Sequence, residues 1–218
     1  MTFLVVANFK SNKNLAEVES WITSVAPTPG MVIAPTSSHL NLFADKSFVL
    51  AGQDVSQFPP GSYTGAVNSR QLKDLGVSYC IVGHSERRRY FHETPADVAG
   101  KVRELLAVGI TPILCMEEGD IAPQFAALDD EYYSQCIYCF EPAADIGGVT
   151  TAPSDLIVSV KDKIVSFVPG AKFMYGGSVT GDNITSLLPL NLTGVLVATA
   201  SLNPQSFLSI IDKIPHAS

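Results

Sequence analysis

Four polar side chains that could together move a proton lie at or just beyond the ends of short apolar segments. Asn8 and Lys10 close the first such segment, whereas His84 and Glu141 each follow a later one. A carboxylate can remove a proton from carbon, an imidazole can donate a hydrogen bond to a substrate oxygen, and an ammonium group can stabilise developing negative charge. This set of groups indicates acid–base chemistry on a small substrate, provided that the fold brings them together.

Glu141 is the candidate base. It comes directly after a buried strand and before a glycine-containing loop. Burial of a carboxylate in a site that closes and excludes water raises its pKa toward the working range. The alternative is a salt-bridged carboxylate at a strand end, but the position before the loop favours the base.

His84 and Lys10 each have a structural alternative as well. His84 directly precedes the segment SERR, which predicts that it lies at the start of a helix. The partial positive charge there disfavours imidazolium, so a neutral ring would donate to substrate oxygens. His84 could instead be a core histidine, and Lys10 an ordinary surface lysine, but the end of a buried strand favours a functional cation.

The elements that must position these residues alternate along the chain. Eight short, almost continuously apolar runs are typical of strands buried on both faces of a parallel sheet. They span residues 3–8, 31–35, 48–52, 79–83, 111–115, 136–140, 172–176 and 194–198. Helix-compatible segments lie between them at residues 14–25, 69–76, 94–109, 153–168, 180–190 and 203–214.

This alternation predicts an α/β protein with a single (β/α)8 barrel domain over residues 1–218. An open doubly wound sheet is the alternative. Residues 116–135 are acidic and broken by Pro123, so we expect only a short helix there. In a barrel, the chemistry lies on loops at the C-terminal ends of the strands, where the candidate residues would converge.

Composition excludes several classes of function. Lys plus Arg is 14 and Asp plus Glu is 21, which gives a net charge of −7 and argues against nucleic acid or an acidic membrane surface as a partner. No apolar stretch approaches about 20 residues, and the N-terminal segment lacks the features of a signal peptide. Of four cysteines only Cys136 and Cys139 are closely spaced, so we expect no metal site and a reduced, cytoplasmic location.

The motifs resemble one family. ANFK, GHSERR, PILC, FEP, YGGSV and GVLVATASL occur in the order and wording of triosephosphate isomerases, between residues 3 and about 211. The resemblance implies an isomerase of glycolysis and gluconeogenesis that interconverts dihydroxyacetone phosphate and D-glyceraldehyde 3-phosphate through an enediolate. It further implies no cofactor, a phosphorylated triose as substrate and a homodimer.

The resemblance also implies a role for each site residue. Glu141 would be the base and neutral His84 the electrophile. Lys10 would attract the substrate and stabilise the enediolate, with the amide of Asn8 beside it. Glu86 would pair with Lys10 and hold it in place.

Phosphate binding is implied at three places, and the third departs from the family. Gly147 and Ser178 fill the first two positions. Ala198 and Thr199 stand where the family has Gly-Gly, so two side chains crowd the backbone N–H groups and a positive φ would cost more. We therefore expect weaker phosphate binding or a slightly displaced phosphate.

Two further departures concern the lid and the dimer. Ala144 replaces the usual Trp of the lid hinge and Asp145 adds a negative charge, which predicts a lid that closes less tightly. Residues 57–65 resemble the loop that inserts into a second subunit. Ala66 replaces the acidic residue that follows, so one interchain ion pair should be absent.

Two other functions compete with this interpretation. A different phosphosugar isomerase or an aldolase would need a Schiff-base lysine or a metal cluster, and the sequence shows neither. A barrel with reduced or lost catalysis, retained for phosphosugar binding, is supported only by the altered lid and phosphate turn. The presence of Asn8, Lys10, His84 and Glu141 argues against it.

Overall fold

The computed structural model describes residues 2–142 and 150–215. Its eight strands are β1 (Leu4–Asn8), β2 (Met31–Ala34), β3 (Val49–Gly52), β4 (Val77–Val82), β5 (Thr111–Met116), β6 (Ile137–Phe140), β7 (Lys172–Tyr175) and β8 (Gly194–Val197). Each strand pairs in parallel with the next, and β8 pairs with β1 to close the barrel. The predicted (β/α)8 barrel is confirmed, and the open sheet is excluded.

The helices surround the barrel. They are α1 (Leu15–Ser24), α2 (Ser69–Asp74), α3 (Ser85–Phe91), α4 (Pro95–Leu106), α5 (Ile121–Ala127), α6 (Ser154–Phe167), α7 (Ile184–Leu187) and α8 (Pro204–Ile211). The short α5 was expected. The start of α3 directly after His84 was expected as well. A 3-10 helix (Ser37–Phe43) that connects β2 and β3 was not expected.

Local sequence fixes where several helices begin. The side chains of Asn14, Asn68 and Thr94 each accept a hydrogen bond from the backbone N–H three residues later. In return, the side chain at that later position accepts a hydrogen bond from the backbone N–H of the cap residue. Such capping boxes satisfy backbone donors that a helix start leaves free. These polar residues therefore set the helix starts that follow β1, β3 and α3.

The core has two layers because side chains alternate across each strand. Val6, Ala34 and Ile81 belong to the cluster inside the barrel. Val5 and its neighbours on the other strand face pack against the helices. This rigid double core fixes the directions in which the strand ends deliver their side chains.

Among the residues described, no helix has the length and apolar character needed to cross a membrane.

Candidate active site

His84 and Glu141 are in direct contact at the C-terminal mouth of the barrel. His84 Nε2 lies 3.0 Å from Glu141 Oε1. The backbone N–H of Ser85 donates to Glu141 Oε2 at 2.9 Å. Both side chains are buried, with 8% and 3% of their surfaces exposed. The candidate base and the candidate hydrogen-bond donor are therefore in direct contact with each other.

The start of α3 orients the imidazole. His84 is the N-cap of this helix, as the sequence predicted, and its Nδ1 accepts a hydrogen bond from the backbone N–H of Glu86 at 3.2 Å. An Nδ1 that accepts carries no proton, so the ring proton lies on Nε2 and points at Glu141. The local backbone thus selects one tautomer.

The contact between the two side chains governs their acidity. Burial lowers the pKa of His84, but the nearby carboxylates of Glu141 and Glu86 outweigh it and leave the pKa raised. Burial raises the pKa of Glu141, but His84 and the Ser85 N–H outweigh it and leave the pKa lowered. Both directions are opposite to the sequence-based expectation, because that expectation considered burial and the helix start without this contact.

The predicted partner of Lys10 is present. Lys10 Nζ lies 2.8 Å from Glu86 Oε1, and the two side chains are 23% and 36% exposed. Lys10 follows β1, whereas Glu86 belongs to α3, so the ion pair joins the loop after β1 to the first turn of α3. The cation is fixed near the imidazole while part of it still faces solvent.

Backbone geometry at Lys10 is unusual and is held in place by two side chains. Its φ is +48°, a left-handed conformation that non-glycine residues rarely adopt. The Lys10 N–H donates to Asn8 Oδ1 at 3.0 Å, and Gln53 Nε2 donates to the Lys10 carbonyl at 2.9 Å. Asn8 therefore acts on the backbone of Lys10, and this strained position lies among the candidate site residues.

Sequence reasoning missed Gln53. It follows Gly52 at the end of β3, and its amide also donates to the Ala34 carbonyl at 2.8 Å. Gln53 thus ties the loops after β1, β2 and β3 together. Its position one residue beyond a predicted strand was the available signal, the same one that identified Glu141.

The candidate phosphate residues lie after β7 and β8. Ser178 follows β7, and its carbonyl accepts a hydrogen bond from Asn183 Nδ2 at 2.8 Å. Ala198 has φ −98° and ψ −88° and precedes a 3-10 turn that includes Thr199. Neither Ala198 nor Thr199 has a positive φ, so the side chains are accommodated without left-handed strain.

Gly147, with Ala144 and Asp145 of the expected lid, lies outside the described residues.

A partly buried ion cluster lies just before the 57–65 segment in sequence, at Asp54. Lys101 Nζ lies 2.6 Å from Asp54 Oδ1, Arg87 lies 2.9 Å from Asp54 Oδ2, and both cations contact Glu93. Arg87 lies on α3, next in sequence to Glu86. The cluster therefore links the segment after β3 to the helix that carries the site.

A closed parallel barrel with a carboxylate, an imidazole and an ammonium group at the carboxyl ends of its strands defines the class of (β/α)8-barrel enzymes. The family model described as triosephosphate isomerase matches residues 3–214. The chain belongs to the triosephosphate isomerase family, whose members are aldose–ketose isomerases, and it is an enzyme of that kind.

Individual relatives agree with the family match. The triosephosphate isomerase of Deinococcus radiodurans is 32% identical, over 98% of this chain and 100% of the relative. The triosephosphate isomerase of Thermus thermophilus is 33% identical, over 95% of this chain and 97% of the relative. The triosephosphate isomerase of Lactococcus lactis subsp. lactis is 31% identical, over 96% of this chain and 97% of the relative. The similarity thus extends over nearly the whole length of each protein.

Proposed function

We propose that this enzyme interconverts dihydroxyacetone phosphate and D-glyceraldehyde 3-phosphate, with Glu141 as the base and neutral His84 as the electrophile. The observation that carries the proposal is the buried contact between His84 Nε2 and Glu141 Oε1 beside the Lys10–Glu86 pair. One group that takes a proton from carbon and two that stabilise the resulting oxygen charge are then within one mouth.

The reaction requires Glu141 to leave its present partners. Its two oxygens are bound by His84 and by the Ser85 N–H, so the carboxylate must turn toward the substrate carbon before it accepts the proton. That movement removes the charge of Glu141, which is the larger of the two carboxylate contributions that raise the pKa of His84. The carboxylate of Glu86 remains, paired with Lys10. Burial, the positive charge of Lys10 and the Glu86 N–H at Nδ1 then favour the neutral ring.

The proton path then balances. Glu141 takes the proton from the carbon beside the carbonyl, and the electron pair moves onto the carbonyl oxygen to form the enediolate. His84 donates a hydrogen bond to the substrate oxygens through Nε2–H, and Lys10 stabilises the negative charge. Glu141 returns the proton to the neighbouring carbon. His84 Nε2 gives its proton to the former carbonyl oxygen and takes the proton of the former hydroxyl oxygen, so both protons are accounted for and no cofactor is needed.

A coupled assay tests the reaction directly. The purified chain should convert dihydroxyacetone phosphate into glyceraldehyde 3-phosphate, which a dehydrogenase then oxidises with reduction of NAD. Binding of the triose phosphate without turnover would instead support the alternative of a barrel retained for phosphosugar binding. Absence of both would overturn the proposal and the alternative.

The phosphate contacts that we propose are the backbone N–H groups near Gly147, Ser178, Ala198 and Thr199. Thr199 is exposed at the barrel mouth, so its branched side chain limits the approach of an anion. Each charge-assisted hydrogen bond that is lost or lengthened costs about 1.5–3 kcal/mol.

The double substitution Ala198→Gly with Thr199→Gly should therefore lower KM for the triose phosphate and the inhibition constant of inorganic phosphate by about tenfold. Steady-state kinetics with phosphate as competitive inhibitor measures both constants. If both remain unchanged while kcat rises, the turn does not limit phosphate binding, and the substitutions at Ala144 and Asp145 become the better explanation.

We also propose a homodimer through residues 57–65. Phe58 and Tyr63 stack with ring centroids 4.7 Å apart, and each is 44% exposed. Tyr90 and Phe91 at the end of α3 are exposed as well, at 63% and 65%. Exposed aromatic groups of this size indicate a contact surface.

Sedimentation velocity at micromolar concentration should accordingly show a dimer. Tyr63→Ser with Phe58→Ser should shift it toward monomer, because the stacked pair would no longer bury apolar surface. A wild-type chain that sediments as a stable, fully active monomer would contradict the dimer. Val158→Ser, at another exposed apolar position on α6, serves as the control.

We propose a cytoplasmic location as well. All four cysteines are free and buried, which suits a reducing compartment.

A further inference from the structure

A tryptophan outside the predicted site contacts both sides of the barrel mouth. Trp21 lies on α1 and is 1% exposed. Its indole Nε1–H donates to the carbonyl of Ser201 at 3.0 Å, across 180 positions of sequence. Its ring also packs edge-on against Phe9, with centroids 5.1 Å apart. Phe9 stands between Asn8 and Lys10, so one side chain contacts the loop after β1 and the turn after β8.

Ser201 is in turn hydrogen-bonded to the candidate phosphate turn. Its hydroxyl donates to the Ala198 carbonyl at 2.6 Å, and its backbone N–H donates to the same oxygen at 2.9 Å. The hydroxyl also lies 3.5 Å from the Asn8 carbonyl. Ser201 is fully buried, so the indole N–H is the direct partner of a carbonyl that water does not reach.

We propose that Trp21 is a positioning residue that sets the phosphate turn at Ala198–Thr199 relative to the Asn8–Lys10 loop. This turn is held by hydrogen bonds from its buried side, at the carbonyls of Ala198 and Ser201. The indole donor and the Ser201 hydroxyl provide those contacts. The inference rests on the proposed function, since it assumes that the turn binds the substrate phosphate.

The arrangement predicts a spectroscopic signal as well. Trp21 is the only tryptophan of the chain. An indole whose N–H is bonded to the phosphate turn should change its emission when an anion binds there. Titration of the wild-type chain with inorganic phosphate should therefore give a saturable fluorescence change, with a midpoint equal to the kinetic inhibition constant of phosphate.

Trp21→Phe removes the donor and keeps an aromatic ring. It should raise KM and the inhibition constant of inorganic phosphate about three- to tenfold, with kcat within about twofold of wild type. Phe43→Leu is the matched control. Phe43 packs on Trp21 at 6.4 Å but belongs to neither loop, so it should lower Tm without a change in KM.

Ser201→Ala provides a second variant in case Trp21→Phe fails to fold. It keeps the carbonyl that accepts from Trp21 and removes the hydroxyl link to Ala198. It should also raise the inhibition constant of phosphate and should weaken the phosphate-dependent change in Trp21 emission.

Constants that stay at wild-type values in Trp21→Phe, or in Ser201→Ala if only that variant folds, would overturn the proposal. So would equal effects in Phe43→Leu, or wild-type emission that does not respond to phosphate that calorimetry shows to bind. Failure of the proposed function gives a different result: the wild-type chain would show no isomerase turnover, while calorimetry and fluorescence with phosphate would still report on the turn.

Discussion

Glu141→Asp should reduce kcat by about 100-fold or more while KM changes little. The shorter side chain withdraws the carboxylate by about one methylene, and a misplacement of about 1 Å in a reacting group costs on the order of 100-fold in rate. Glu141 now reaches both His84 and the Ser85 N–H, at 3.0 and 2.9 Å, and aspartate would lose at least one of these contacts. Steady-state kinetics in the coupled assay measures the effect.

Glu19→Asp is the control for this change. Glu19 is an exposed glutamate on α1, so the same loss of a methylene there should leave kcat and KM unchanged. Near wild-type turnover of Glu141→Asp would show that Glu141 is not the base. A thermal melt of both variants separates loss of activity from loss of the fold.

Lys10→Met should reduce kcat/KM by about 100- to 1000-fold. The change removes the cation that we propose to stabilise the enediolate, and loss of one such electrostatic group typically has this effect. It also leaves Glu86 without its partner at 2.8 Å, so an uncompensated negative charge would face an anionic substrate. Methionine is unbranched like lysine, so the left-handed backbone at φ +48° is no more strained than before.

Lys46→Met separates this local effect from a change in net charge. Lys46 is exposed and lies outside the site, so its loss should leave kcat/KM unchanged. Equal reductions in both variants would indicate long-range attraction of the substrate rather than a role for Lys10 in the mouth. Repeating the assay at higher salt measures that long-range contribution, because screening weakens it.

The order of the strands and the end of the barrel at which the candidate site residues lie followed from the sequence. Continuous apolar runs bounded by polar residues predict parallel strands buried on both faces, and Glu141, His84 and Lys10 each lie just beyond such a run. Helix starts were also predictable from the sequence, because caps such as Asn14 and Thr94 act within four residues of sequence. Patterns of this kind are local, so no tertiary information is needed to detect them.

Contacts between distant segments were decided only by the tertiary structure. The pKa directions of His84 and Glu141 reverse the expectation because two side chains 57 positions apart in sequence meet at 3.0 Å. Gln53 holds the strained backbone of Lys10, and Trp21 donates to Ser201. Apolar periodicity reports which face of an element is buried but not which partner it meets. Closure of the barrel sets the distances between residues that are far apart in sequence. Those distances in turn determine the pKa values and the hydrogen bonds of the site.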